Sequence, residues 1–263
     1  MNLAGRTVLL TGATGGLGHA IAWRLRAAGA ELVLTGRRTE VLESLAAETG
    51  ARSLAVDMTD AEAVQRLAKE CADVDVLVSN AGLPATGQVT SFTVEQLDRA
   101  LAVNLRAPMV LARELAEHMV ARRSGHLVFM SSLAGKVGAP RSSVYSATKF
   151  GLRGFAQSLR QDLHSSGVGV SAIFPGFVRD AGMFHDTGTK LPPGLGTVAP
   201  DAVAEAVVRA IERNRGEIDV APVNLRAGAM VAGLAPDLAA SVSRRLGGTR
   251  IAEQHVAMQK TKR

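Results

Sequence analysis

The chain has 263 residues, 47% of them hydrophobic and 21% charged, enough apolar material for one large α/β domain under a well-charged surface. A single cysteine, Cys71, leaves no internal disulfide, and the best candidate membrane segment, 227–242, is broken by Pro236 and Asp237; an oxidising compartment and a membrane span are therefore not expected. The net charge of +6 sits mostly at the C-terminus and aromatics make up only 3% of residues, which argues against a nucleic-acid partner, since no basic face is interleaved with stacking side chains.

The opening MNLAGRTVLLTG runs straight into a strand. Its apolar run is too short for a secretory leader, so a cytoplasmic protein is expected. Strand-like runs follow at 6–12, 31–37, 52–57, 75–82, 126–132, 168–176 and 217–222, with helical stretches near 16–28, 38–49, 60–71, 94–122, 143–165 and 200–214. The strands lack strict alternation and so read as buried on both faces. Repeated β-α units with right-handed crossovers give a doubly wound, mostly parallel α/β sheet. One domain over 1–263 is expected, with a glycine- and proline-rich lid at about 179–200 and an extension at about 224–263. Long loops of that kind are uncommon without a function.

After the first strand comes TGATGGLG, Thr11–Gly18. Gly12 permits a tight turn, Gly16 lets backbone approach a pyrophosphate, and Gly18 allows close helix packing. The turn Gly12, Thr14, Gly15, Gly16, Leu17, Gly18 then offers helix N-terminal amides to phosphate. The second strand ends in TGRR. Where NAD-binding folds place an acid for the ribose 2′-hydroxyl, this chain has Arg37 and Arg38, which favours a 2′-phosphate and hence NADP(H); NAD(H) is the second choice. Asp57 closes the third strand and either bonds an adenine amino group or precedes the Asp60 helix cap. Asn80, Ala81 and Gly82 end the fourth strand and leave room for a ribose.

The chain's only tyrosine, Tyr145, stands four residues before Lys149 in SVYSATK, on one helix face. A cation about 5 Å from a phenol, at an effective dielectric of about 20, is worth roughly 3 kcal/mol, or about two pKa units downward. That predicts a tyrosine able to exchange protons near neutral pH. Ser132 ends the fifth strand at the same sheet edge and is placed to hold a substrate oxygen. Asn104 lies within a helical stretch, where an amide either holds a local break or a proton-relaying water. No metal cluster is read.

TGATGGLG, NAG, Asn104, Ser132, YSATK and Pro175–Gly176 occur in the order and spacing of the classical short-chain dehydrogenase/reductase family, which the chain resembles over about residues 5–222. The resemblance implies a Rossmann fold with strand order 3-2-1-4-5-6-7 and NAD(P)(H)-dependent interconversion of a carbonyl and a secondary alcohol. It implies Tyr145 as acid/base, Ser132 orienting substrate, Lys149 on the nicotinamide ribose and Asn104 in a proton relay. Met58, Pro175, Gly176 and Val178 join the cofactor contacts on the same ground. A homotetramer or dimer through 106–122 and 143–165 is implied as well. One departure stands out: Asp180 occupies a position where the family commonly has a threonine against the nicotinamide carboxamide. Leu133, Phe177, Met183, Phe184 and Leu191 are expected to line a partly apolar substrate site, and His185 reads equally as a polar selector or a solvated lid residue. A nucleotide-sensing protein without catalysis is the competing reading, disfavoured by the complete Asn-Ser-Tyr-Lys set. The tail from Arg244 carries six Lys/Arg against one Glu; a solvated tail is expected, membrane contact being the lesser alternative.

Overall fold

The computed structural model describes residues 1–185, 191 and 195–245. Seven strands pair in parallel: β1 (Thr7–Leu10), β2 (Glu31–Gly36), β3 (Arg52–Ala55), β4 (Val76–Ser79), β5 (Gly125–Met130), β6 (Val168–Pro175) and β7 (Glu217–Val220). Their order is β3-β2-β1-β4-β5-β6-β7, as the family resemblance implies. Every residue of β5 and β6 is buried, because helices cover both faces. Alternate side chains therefore feed two separate cores. Val8, Leu10, Val76 and Val78 pack under α1 (Gly16–Ala27), α2 (Thr39–Thr49) and α8 (Pro200–Arg213). Leu9, Leu77, Leu127 and Phe129 pack under α3 (Ala61–Glu70), α5 (Ala107–Ala121) and α6 (Ser143–Asp162).

The helix expected over 94–122 is not continuous. It runs as α4 (Val94–Leu101), a π turn at Ala102–Arg106, then α5. Pro108 has no amide hydrogen to give the Asn104 carbonyl four residues back, so the regular ladder fails there. Elsewhere the boundaries follow local chemistry. Asp60 caps α3, accepting from Glu62 N and Ala63 N at 2.9 and 3.0 Å, and Asn214 ends α8 at φ 46°.

Beyond β6 the chain forms a short α7 (Gly182–His185). Both ends of the lid are clamped, since Val198 N donates to Phe177 O at 2.9 Å and Arg179 N to Val198 O at 3.0 Å. Residues 186–190 and 192–194 of the expected lid lie outside the described residues. The extension carries two helices that the sequence reading left unspecified, α9 (Val223–Leu234) and α10 (Pro236–Arg245); the Pro236 break falls between them. Among the described residues no helix is long and apolar enough to cross a membrane.

Candidate active site

The sheet order reverses between β1 and β4, and their carboxyl ends meet at the glycine turn. Thr11 Oγ1 accepts from Asn80 N and Ala81 N, both at 3.0 Å, while Asn80 Nδ2 donates to Thr11 O and Gly12 O at 3.1 and 3.2 Å. Gly12 has φ 66°, and a Cβ there would lie 2.7 Å from Ala81 Cα; only glycine fits this contact. Helix α1 starts at Gly16 with no side-chain cap and no acid in its first turn, so its amide dipoles are left for an anion. Gly18 packs on the Gly12 carbonyl, where a Cβ would come within 2.2 Å of the oxygen.

At the end of β2, a Cβ on Gly36 would meet Thr14 Cγ2 at 2.7 Å. Arg38 donates to Thr14 O and stands at the N-cap of α2. Arg37 Nη1 lies 4.0 Å from Asp57 Oδ2, with both side chains about half exposed. Asp57 also accepts from Thr59 N and Thr59 Oγ1, each at 2.9 Å, and its pKa is lowered: desolvation opposes this, but the Thr59 bonds and the Arg37 and Arg99 charges outweigh it. Met58 is buried in the core beneath. Two guanidinium groups thus flank the β2 end with one carboxylate between them and the third strand.

The chemical residues gather at the same sheet edge. Ser132, N-cap of the 3-10 turn Leu133–Gly135, accepts from Ala134 N at 3.2 Å and reaches Pro175 O at 3.5 Å. It shares a hydrogen bond with the Tyr145 hydroxyl. Lys149 is buried, its Nζ donating to Met130 O at 2.8 Å and lying 5.7 Å from the centre of the Tyr145 ring. Asn104 is fully buried. Its Oδ1 accepts from Leu83 N at 2.7 Å, and its Nδ2 donates to Leu83 O at 3.0 Å and to Thr148 Oγ1 at 3.4 Å. Asn104 therefore ties the segment after Gly82 to the residue next to Lys149, from a π turn, which favours the local-break alternative for its place in the sequence.

Among the protein's own groups, burial outweighs the cation expected to acidify Tyr145. Burial pushes the phenol up to about 12, with the Ser132 hydrogen bond pulling the other way. Burial likewise pushes the Lys149 ammonium down to about 8. Lys149 is buried and Tyr145 half-buried, and a charge weighed at a fixed dielectric leaves out the desolvation that raises the phenol and lowers the ammonium.

The lid lies on the glycine turn. A Cβ on Gly16 would sit 2.7 Å from Ala181 Cβ, and one on Gly82 would sit 3.3 Å from Met183 Cε. Phe177 and Phe184 pair with ring centres 4.9 Å apart. Leu133 Cδ1 reaches to 3.5 Å of the Cβ position at Gly176. Val178 bridges to Val198, and Leu191 is half-buried. Asp180 has φ 62° and pairs with Arg179 at 3.3 Å through a largely exposed carboxylate. A β-branched threonine would be strained in that backbone conformation, whereas aspartate tolerates it. Among the described residues no group of side chains could hold a metal ion.

The sequence reading passed over Thr11, Thr148, Ser131 and Ala181. Ser131 Oγ, buried, donates to Lys149 O at 3.1 Å and so fixes the turn of α6 that carries the lysine. Thr11 and Ser131 were the readable ones, hydroxyls at the ends of strands beside motif residues. Ala181 carries no such mark.

A nucleotide turn, a buried ammonium and a phenol bonded to a serine, all at one edge of a doubly wound sheet, define the class: an oxidoreductase working with a dinucleotide. The chain belongs to the short-chain dehydrogenase/reductase family, classical type; the short chain dehydrogenase model matches residues 6–192. It is 36% identical over 227 residues to the ketoacyl reductase HetN of a Nostoc strain, spanning 83% of this chain and 79% of that protein. A short-chain dehydrogenase from Sphingobium yanoikuyae in complex with NADPH superposes with a TM-score of 0.77 at 26% identity, over 89% of this chain and 95% of that one. The closed form of serine dehydrogenase complexed with NADP+ gives 0.74 at 30% identity, over 83% and 95%.

Proposed function

We propose that this oxidoreductase uses NADP(H) to interconvert a partly apolar carbonyl compound and its secondary alcohol, with Tyr145 moving the proton. The observation that carries the reading is the hydrogen bond between the Tyr145 and Ser132 hydroxyls, beside Lys149 and at the mouth of the glycine turn. The residues fit a dinucleotide. The uncapped, acid-free start of α1 suits a pyrophosphate, and Arg37 and Arg38 suit a 2′-phosphate. Two structures similar to this chain hold NADPH or NADP+, which supports the same preference. Gly12, Thr14, Gly15, Gly16, Leu17, Gly18, Asn80, Ala81, Gly82, Pro175, Gly176 and Val178 would frame the cofactor; because Ala181 rests on Gly16, the lid has to lift to admit it. The nicotinamide, when bound, supplies or accepts the hydride. Ser132 orients the substrate oxygen and Tyr145 gives it a proton in reduction or removes one in oxidation. Lys149 holds positive charge beside the phenol, and Asn104 fixes the backbone between Gly82 and Thr148. Leu133, Phe177, Met183 and Phe184 offer the apolar wall. Leu101, Met109, Val120 and Phe150 are exposed on α4 to α6, in keeping with a homo-oligomer formed through those helices.

The test is a screen of carbonyls and alcohols followed by NADPH absorbance, repeated with Tyr145→Phe. The variant should keep fold and cofactor affinity and lose at least about a thousandfold in turnover. Substantial turnover in that variant would hand the proton to another residue.

A further inference from the structure

Ser132 and Tyr145 belong to different elements, the turn after β5 and helix α6, so their hydrogen bond depends on what holds those two elements together. An ion cluster spans them. Lys136 ends the 3-10 turn that Ser132 caps. Its Nζ bonds two carboxylates of β7, Asp219 at 2.6 Å and Glu217 at 2.8 Å, and lies 4.0 Å from the centre of the Phe174 ring. Glu217 also accepts from Arg153 Nε at 2.8 Å, from Arg153 Nη2 at 3.2 Å and from Gln157 Nε2 at 2.7 Å. Arg153 stands one turn beyond Lys149 on α6. Phe174 is fully buried and precedes Pro175, whose carbonyl oxygen accepts from Ser132 Oγ at 3.5 Å. The carboxylates of β7 thus grip the serine's turn through Lys136 and the tyrosine's helix through Arg153 and Gln157.

A plainer account of the carboxylates exists. β7 closes one end of the sheet, and inward-pointing charges on an edge strand deter pairing with other chains. Glu217 and Asp219 alternate with Ile218 and Val220, which pack into the core on the opposite face. That account leaves their partner unexplained. An exposed lysine would neutralise them at little cost or gain, whereas this one is 13% exposed and carried by the turn that Ser132 opens. Removing a cation that is out of water and shared by two carboxylates leaves charge uncompensated. Glu217 is held ionised: desolvation pushes its pKa up, but the bonds and charges of Arg153 and Lys136 outweigh this and leave it lowered. We propose that Lys136 is a positioning residue: through Glu217 and Asp219 it holds the Ser132 turn against α6 and so sets the spacing of the Ser132 and Tyr145 hydroxyls. Its effect on turnover rests on the reaction proposed above; its effect on the hydroxyl pair rests on geometry alone.

Because Tyr145 is the only tyrosine, the full chain made with meta-fluorotyrosine gives a single fluorine NMR resonance, read at neutral pH. Ser132→Ala marks where that resonance lies when the phenol has lost its serine. Lys136→Met keeps the side chain's length and its contact with the Phe174 ring; it should move the resonance toward the same place, and the Ser132→Ala/Lys136→Met double variant should match Ser132→Ala alone. Lys136→Arg keeps the charge and should stay at the wild-type position. With a carbonyl that the unlabelled wild type reduces, Lys136→Met should lower kcat at least about tenfold and leave KM for NADPH within about twofold, Lys136→Arg restoring turnover. Should Lys136→Met fail to fold, Glu217→Gln removes the charge of the shared carboxylate at constant size and should move the resonance in the same direction. The proposal is overturned by a resonance that stays in place while Tm falls, which would leave the cluster as a guard on the edge strand, or by one that Lys136→Arg displaces as far as Lys136→Met. A wild type that reduces no carbonyl would sink the reaction reading, and the resonance alone would then decide this inference.

Discussion

Tyr145 is the only tyrosine in the chain, so its ionisation can be followed alone, as phenolate absorbance in an alkaline titration of the intact protein. Burial holds the phenol at about 12, against about 10 for a free tyrosine. At pH 7 only about one molecule in 10⁵ then carries the phenolate, compared with about one in 10³ for an unperturbed phenol. Lys149 enters with its own shift. At about 8 it is neutral well before the phenol begins to titrate, so its charge cannot draw the tyrosine down in that range. Lys149→Met should accordingly leave the midpoint in place, while Ser132→Ala, which removes the one hydrogen bond opposing the shift, should raise it. The sign for stability follows: a group whose folded pKa lies above its unfolded value stabilises fully below pH about 10, and that contribution disappears as pH rises toward 12. Circular dichroism recorded alongside separates phenol ionisation from alkaline unfolding. A midpoint at or below 10 in the folded protein, rising on Lys149→Met, would refute the reasoning and restore the cation as the dominant influence.

The same pair of shifts sets the pH dependence of turnover. With NADPH as the varied substrate, kcat/KM reports ionisations of the free enzyme; for carbonyl reduction it should stay level to about pH 7.5 and then fall about tenfold per unit above 8 as Lys149 loses its charge. Lys149→Arg keeps a cation and should remove the falling limb; a limb that persists belongs to another group. Arg37→Asp should raise KM for NADPH by at least about tenfold and leave that for NADH nearly unchanged, since a carboxylate repels a 2′-phosphate but accepts from a ribose hydroxyl. Equal effects on both cofactors would place Arg37 elsewhere than the 2′-position. Thr35 Oγ1, fully buried in β2 without a hydrogen-bond partner among the described residues, makes Thr35→Val a stabilising change of about 1 kcal/mol, visible as a higher Tm; a lower Tm would mean the hydroxyl has a use.

What the sequence discloses here depends on how locally each feature is encoded. Glycine turns, strand runs and the Tyr-Lys spacing are short-range patterns, and from them the doubly wound sheet, the phosphate turn and the meeting of Ser132, Tyr145 and Lys149 at one sheet edge were readable, whereas the strand order came only from the family resemblance. The π turn at Ala102–Arg106 was half legible: Asn104 and Pro108 mark the place, but the ladder fault shows only when backbone bonds are followed. Desolvation has no local signature. Neither burial at Lys149 nor the closeness of Met130 O is visible in SVYSATK, so a charge weighed at one dielectric misses the upward pull of burial on Tyr145. The contact of Ala181 with Gly16 joins residues far apart in sequence through a lid that carries no periodicity. Which side of α9 meets solvent has no local signature either: the helix is apolar on both sides, so no amphipathic pattern separates the two, and which of Ala229 and Met230 is covered is decided by the rest of the fold.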